Sequence, residues 1–434
     1  MSSIETLGAL ERRLNAFILQ QPLRGEIDAR LKRLGRTAKI HGFRPGKIPF
    51  KTLQQMYGAQ VHQEVMEDAL QRSFAEEAKA NSLKVVGYPD FEIKTADLAA
   101  EQIEYSATFE IYPEVALRDA SAESVERVTY ILSDADIDST IATLRKQRAV
   151  FELTGRAAQN EDQVHIDFSG KLGGVVFEGG TAKDFAVVLG VGRMLPDFEN
   201  AIVGMKAGEI KSFDMTFPED YHGKEMAGKQ VNFTITLHRV EAPRLPELDA
   251  EFARLLGIED GDVDKLKIEV RKNLERETAR RIKVHNKNNA MDLLLRIGQL
   301  EAPKALVDSD VENLRQQAME DMQKRGVKIP KDMSLPPDLF VERAQKRVKL
   351  GLILAELVKQ QDLSAKPEQI KAALQDHAQS FEHPEEVVKW HYNDPSRLQE
   401  VKNMVLEDNV VAWVMGVAKV TDRVMEFNEL MGKD

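Results

Sequence analysis

The residues best suited to chemistry in this chain lie in one eight-residue run, Gly42-Phe43-Arg44-Pro45-Gly46-Lys47-Ile48-Pro49. Two glycines and two prolines exclude a regular helix or strand there. The run nevertheless carries an aromatic ring, a guanidinium and an ammonium. A guanidinium can grip a carboxylate or phosphate through two parallel hydrogen bonds, which an ammonium cannot copy. The adjacent ring can bury itself against an apolar surface, and the prolines reduce the entropy lost on docking. The run therefore suits a docking tip between two helices. It suits equally well a tight interhelical turn whose Phe43 folds back onto the core.

Other chemical patterns fail on spacing. Asp134-x-Asp136-x-Asp138 imitates the start of a calcium loop, but Ser139 stands where glycine is needed and Arg145 where glutamate is needed. The same acids suit the positive end of a helix. Gly190-x-Gly192 lacks the third glycine of a dinucleotide fingerprint, since Leu195 occupies its place. There is no Walker A loop and no His-Glu-x-x-His. The nine histidines are scattered without ligand grouping, and no Ser/His/Asp arrangement stands out. No cofactor and no metal are expected.

Composition narrows the class. With 434 residues, 42% hydrophobic and 30% charged, the chain has room for about three globular domains. Cysteine is absent, which excludes disulfides and thiolate chemistry and suits a reducing compartment. Met1–Glu5 has no basic region followed by an apolar core, so no signal peptide is expected. No apolar run approaches ~18 residues, so no membrane contact is expected and cytoplasm is the default. The net charge of −11 argues against general wrapping of nucleic acid. Residues 1–50 nevertheless hold ten basic and four acidic side chains, a local excess of +6. That end suits one contact with an anionic partner, or simply a solvated helix face.

The elements that must position these residues are legible from periodicity. Residues 10–20 alternate as a strand, and Pro22 can open a helix to about Thr37. After the loop, Phe50–Tyr57 and Gln60–Ala80 predict two helices, the second with Val61, Val65, Ala69 and Phe74 on one stripe. Lys84–Ile93 and Gln102–Tyr112 predict strands. Val125–Leu132 is extended, and Ser133 with Asp136 makes a capping box for a helix to about Val150. Residues 155–240 are rich in glycine, with short β pieces at Val164–Phe168, Val175–Phe177, Phe185–Leu189, Ile210–Phe217 and Gln230–Val240, and a short helix at Met194–Ile202. From Pro246 onward the pattern is helical. Val263–Leu300 is one long charged stretch carrying Leu266, Val270 and Leu274, and prolines punctuate the helices after it.

Taken together, these motifs bring out a family. The loop Gly42-Phe43-Arg44-x-Gly46-x-x-Pro49 resembles the ribosome-docking signature of the trigger factor family, bacterial chaperones at the nascent-chain exit. Val164-His165-Ile166-Asp167-Phe168-Ser169-Gly170 and Phe177-Glu178-Gly179-Gly180 resemble an FKBP-type peptidyl-prolyl isomerase core. So do Leu189-Gly190-x-Gly192-Arg193-Met194-Leu195-Pro196-Asp197-Phe198-Glu199 and Phe217-Pro218-Glu219-Asp220-Tyr221. Arg271-Lys272-Asn273 and Phe427-Asn428-Glu429-Leu430-Met431 match the family's tail. The resemblance runs through the whole chain in the family's domain order. One departure falls in the loop: Pro45 stands where many members have lysine, leaving Lys47 to supply that charge.

The resemblance implies a multidomain α+β fold. It comprises a ribosome-binding α+β domain (1–112), a linker (113–149), a small antiparallel β FKBP-like isomerase domain (150–243) and an all-α C-terminal chaperone domain with helical arms (244–434). In the isomerase domain it implies a pocket walled by Phe168, Phe177, Phe185, Phe198 and Phe233. Phe198 takes the floor, where many FKBP domains have tryptophan, and Glu178 the acidic position, usually aspartate. Met194 and Leu195 form the aliphatic pair, and Tyr221 sits near the flap tyrosine, although His222-Gly223 leaves the usual tyrosine pair incomplete. These aromatics also suit the ordinary core of a small β domain. At the loop it implies docking by Gly42, Phe43, Arg44, Pro45, Gly46, Lys47 and Pro49. The implied partners are an exit-tunnel protein of the large ribosomal subunit with nearby rRNA, nascent and unfolded polypeptides, and a second copy of the chain when off the ribosome. A dedicated prolyl isomerase and a ribosome assembly factor with a binding-only pocket are the rival readings.

Overall fold

The computed structural model describes residues 2–38, 43, 47–95, 101–221, 223, 225–326, 335–379, 381 and 383–432. The chain divides into two compact units, Met1–Val128 with Lys283–Arg423, and Thr129–Ile282 with Val424–Asp434.

The first unit opens with β1 (Ser3–Thr6), β2 (Glu11–Leu19), α1 (Gln20–Thr37), α2 (Phe50–Ala80), β3 (Val85–Ile93) and β4 (Gln102–Ile111). The strands form an antiparallel sheet in the order β1-β2-β4-β3. On β2 the alternation sends Leu14, Ala16 and Ile18 inward, and on β4 it does the same for Ile103, Tyr105, Ala107 and Phe109. The α2 stripe Val61, Val65, Leu70, Phe74 and Ala78 closes over that face. Each such aliphatic or aromatic side chain contributes about 1.5–3 kcal/mol when fully buried. The Tyr105 hydroxyl donates to Ser73 Oγ at 2.9 Å. Burial holds that phenol above its ordinary range. Two helices are expected across Gly58, but α2 runs through it unbroken. A lone glycine costs a helix only about 1 kcal/mol, and the buried stripe on both sides outweighs that.

Then come the short β5 (Ala116–Leu117) and β6 (Ser124–Thr129), followed by the second unit's α3 (Asp134–Gln147). The Ser133–Asp136 capping box is formed as expected. The helix stops at Gln147 rather than Val150, because Val150 opens β7 (Val150–Thr154), which pairs with the last β strand of this unit. β8 (Gln163–Leu172), β9 (Val175–Val188), α4 (Pro196–Ile202), β10 (Ile210–Thr216) and β11 (Gln230–Arg244) complete the glycine-rich part. Its sheet runs β10-β11-β8-β9 antiparallel, with β7 also on β11. The two β pieces expected at Val175–Phe177 and Phe185–Leu189 fall in one strand, which pairs with β8 at Val175–Val176, Thr181–Ala182 and Phe185–Val188, with register shifts between these stretches.

α5 (Ala250–Leu255) and α6 (Val263–Ile297) follow. Leu266, Val270 and Leu274 pack with Ile137, Ile141 and Phe252 in a core that Phe427 and Met431 also join. Residues of α6 up to 282 belong to this second unit and those from 283 to the first. In the first unit, β12 (Gly298–Gln299) pairs with β5. α7 (Lys304–Lys324) and α8 (Asp338–Gln361) form a helical pair around Val307, Val311, Leu314 and Ala344. α9 (Pro367–Ala378), α10 (Pro384–Tyr392) and α11 (Pro395–Val417) follow, with Ile370, Leu374, Val401 and Val405 as the core of α9 and α11. β13 (Lys419–Val424) pairs with β6, and α12 (Phe427–Met431) ends the described elements. The fold is multidomain α+β, with an N-terminal α+β part, an antiparallel β part and a helical C-terminal part edged by two short strands.

Candidate functional site

The β8–β11 pair builds a ring cluster by register. Gly170 lies opposite Phe233, and Phe168 opposite Ile235. On β8, Val164, Ile166, Phe168 and Gly170 share the inner face, and on β11 Val231, Phe233 and Ile235 do. Pro196 occupies the first turn of α4, which sets Phe198 against this face with only 2% exposure. Phe198 and Phe233 meet edge-on at 5.3 Å between centroids, and Phe168 meets Phe198 at 5.5 Å and Phe185 at 5.8 Å. Phe177 lies 6.1 Å from Phe233. Edge-to-face contacts of this kind place the positive ring edge on a neighbour's negative face.

Two glycines make room for Phe177. A Cβ at Gly170 would sit 2.7 Å from Phe177 Cε1 and 2.6 Å from Phe233 Cε1, and one at Gly180 would sit 2.8 Å from the Phe177 ring. Phe185 is presented by the irregular turn of β9, where Asp184 adopts φ +45° and donates its N–H to Asp167 Oδ1 at 2.7 Å. That N–H, and then His238, hold the Asp167 carboxyl below the usual carboxylate range.

The expected pocket residues therefore fall into three groups. Phe168, Phe177, Phe185, Phe198 and Phe233 come together in one cluster, with Phe185 38% exposed at its edge. Met194 and Leu195 pack against the same core. Tyr221 joins through Phe217, ring to ring at 4.6 Å, while Glu178 is exposed. Leu195 caps α4 with its carbonyl, accepting from the Phe198 and Glu199 N–H groups, while its own N–H meets no acceptor among the described residues. Three contributors were missed in the sequence reading. Phe213 and Phe217 lie against Phe233 at 6.1 and 6.5 Å, and the alternation Phe213-x-Met215-x-Phe217 was the available signal. Glu199, the buried neighbour of Phe198 on α4, is the third. Among the described residues no group of three or more His, Cys, Asp or Glu is placed to hold a metal ion. The site is a cluster of aromatic side chains, buried at Phe198 and Phe233 and exposed at Phe185.

At the N-terminal loop, Phe43, Lys47 and Pro49 are exposed, with Phe43 at 39%. Among the described residues, Phe43 is not one of the hydrophobic side chains packed on the N-terminal core. Gly42, Arg44, Pro45 and Gly46 lie outside the described residues. Pro49 opens α2, its carbonyl accepting from the Thr52 and Leu53 N–H groups. On α1, Arg30 pairs with Glu64 and Asp68, whereas Arg24, Lys32, Arg33 and Arg36 are exposed.

A small antiparallel sheet folded over one short helix, with a phenylalanine floor, defines the class: this is a multidomain protein carrying an FKBP-type peptidyl-prolyl isomerase domain. The family model described as FKBP-type peptidyl-prolyl cis-trans isomerase matches residues 154–238. Models for the bacterial trigger factor protein match residues 1–144, and for its C-terminus residues 262–416. A trigger factor from Nitrosospira multiformis is 49% identical over 433 residues, covering 100% of this chain and 99% of that one. One from Burkholderia orbicola is 48% identical, covering 98% of each. A solved trigger factor chaperone aligns over 96% of this chain and 100% of its own at 17% identity with a TM-score of 0.44. The chain belongs to the trigger factor family.

Proposed function

We propose that this member of the trigger factor family is an ATP-independent chaperone of the cytoplasm that docks at the ribosomal exit tunnel, shields nascent chains and isomerises X–Pro bonds within them. The observation that carries the isomerase half is the ring cluster around Phe198 and Phe233. In this reading residues 1–112 bind the ribosome, 113–149 link, 150–243 isomerise, and the helical 244–434 hold unfolded segments.

The isomerase step needs no nucleophile. Amide resonance sets a rotational barrier of ~18–20 kcal/mol, and for X–Pro bonds the two planar states lie within about 1 kcal/mol of each other. The twisted transition state has lost resonance and much of the amide's charge separation. An apolar bowl made by Phe168, Phe177, Phe185, Phe198 and Phe233 therefore favours it over the planar ground state. Phe198 serves as floor beneath the prolyl ring, Met194 and Leu195 as the aliphatic wall, and Tyr221 and Glu178 as the polar rim. The open Leu195 N–H is suited to hold the carbonyl of the twisting segment.

Docking rests on the exposed Phe43 and on Arg44, with Gly42, Pro45, Gly46, Lys47 and Pro49 shaping the tip. The partner is an exit-tunnel protein of the large subunit, with rRNA phosphates drawing on the exposed cations of α1. Off the ribosome, a second copy of the chain is the further partner proposed. The test is co-sedimentation with ribosomes. Phe43→Ala with Arg44→Ala should leave the protein in the supernatant, and added salt should weaken wild-type binding. Unchanged pelleting of the double variant would refute the docking assignment.

A further inference from the structure

Glu199 is a carboxylate buried beside an aromatic floor, at 7% exposure. Its neighbour in sequence, Phe198, is that floor. Among the described residues no cation forms an ion pair with it. Instead its Oε2 accepts the Gly190 N–H at 2.8 Å and its Oε1 accepts the Met194 N–H at 3.2 Å. A buried carboxylate must be compensated, and peptide N–H groups are doing so here. Both donors come from the same five-residue turn, in which Gly190 and Gly192 take φ +79° and +71°. Left-handed backbone at two glycines folds the turn tightly enough for both N–H groups to face one side chain.

The start of this turn is held separately. The Leu189 N–H donates to Asp162 O at 3.0 Å, and the Leu189 carbonyl accepts from Glu161 N at 2.8 Å. Asp162 is itself fully buried and gripped by Arg156 through two bonds of 2.5 and 2.7 Å. The far end of the turn is Met194 and Leu195, the aliphatic wall and the open rim N–H. That far end is tied to the floor helix through Glu199.

We propose that Glu199 is a positioning residue for prolyl isomerisation: it clamps the 190–194 turn to α4, sets the Met194–Leu195 wall and aims the Leu195 N–H over Phe198. This rests on the pocket reading above. In Glu199→Gln the side chain keeps its shape, but one oxygen becomes an NH2 that meets a peptide N–H donor to donor. One end of the clamp is lost and the ring cluster is untouched. Losing one charge-assisted bond in a buried site corresponds to roughly ten- to a hundredfold. Because the rings that bind the planar proline stay in place, the loss falls on kcat more than on KM.

The experiment uses the full-length chain and a prolyl tetrapeptide. Kinetics are measured for wild type, Glu199→Gln, Glu199→Asp and Phe198→Leu, with hydrogen exchange of the 189–196 segment in parallel. The expected result for Glu199→Gln is a ten- to hundredfold fall in kcat, a KM within about threefold of wild type, and faster exchange confined to 189–196. Glu199→Asp retains the charge and should fall between wild type and Glu199→Gln. Wild-type kcat in Glu199→Gln would overturn the proposal, as would a loss carried by KM alone. Were Glu199→Gln to unfold the domain, the Asp variant decides by the same kcat criterion. If Phe198→Leu retains full activity, the pocket reading itself is wrong; if Phe198→Leu is impaired and Glu199→Gln is not, only the positioning role is.

Discussion

Adding a single methyl at Gly170 should cripple the isomerase domain. The residue faces Phe233 across the β8–β11 ladder. A Cβ there would lie 2.6 and 2.9 Å from two Phe233 ring atoms and 2.7 Å from Phe177 Cε1. Carbon atoms settle near 3.5–4.0 Å, so both rings would have to retreat by about 1 Å. Phe177 has some freedom, being only half-buried. Phe233 has none, because Phe168, Phe198, Phe213 and Phe217 all stand within 6.5 Å of it. Overpacking of this kind costs about 1–3 kcal/mol. Replacing glycine also restricts the unfolded chain, which returns about 0.4–1 kcal/mol. The net expectation is a destabilisation of roughly 1–2 kcal/mol. If the domain melts as its own transition, that lowers its midpoint by roughly 5–15 °C. In the proposed pocket the displaced rings are walls, so kcat/KM on a prolyl tetrapeptide should fall at least about tenfold, even at temperatures where the domain is folded. Gly155→Ala is the matched control: its Cβ would meet nothing within 4 Å, and its backbone is not left-handed. Thermal melts and isomerase assays on both variants decide the matter. A Gly170→Ala protein with wild-type melting and activity would show that the rings are not held as described.

Two further outcomes test the scaffold. Asp167 has a folded pKa below its unfolded value, first through the Asp184 N–H and then through His238. Its contribution is therefore present above the unfolded value of about pH 4 and is lost as pH falls through the lower folded value. Denaturant unfolding of wild type and Asp167→Asn should differ at pH 6, and the difference should shrink towards pH 2; a gap that is constant with pH would contradict this. Ser133→Ala removes the side chain that caps α3 and should cost about 0.5–2 kcal/mol in equilibrium unfolding, because α3 carries Ile137 and Ile141 into the core with Phe252.

Much of the scaffold was legible residue by residue. The alternation of β2 and β4 and the Ser133–Asp136 box depend on neighbours one to three positions away, so reading along the chain recovers them. Long-range decisions were not. Nothing local says that β9 carries on past Gly179 and Gly180, because it is the pairing with β8 on either side of them that joins the two pieces. Nor does any local pattern join Ala120 and Val125 to Val410 and Val414 in one core, since hydrophobic burial acts on whatever surfaces the fold brings together. The pocket shows the same division. The family resemblance implied five phenylalanines, three of them within its quoted motifs, whereas Phe213 acquires its place only through contact and Phe217 and Glu199 lie in those motifs with their contacts unannounced.

The sequence by itself determined most of the elements, though not all of their bounds, together with the family, and it named Phe43 and Arg44 as the residues on which to test docking. Periodicity, capping and motif spacing are all properties of residues close together in the chain. Tertiary structure alone decided which rings touch, why Gly170 must lack a side chain, and that a buried carboxylate at position 199 ties a turn to the floor helix. Those facts depend on distances between residues far apart in the chain, which are set only when strand register and helix packing close the core.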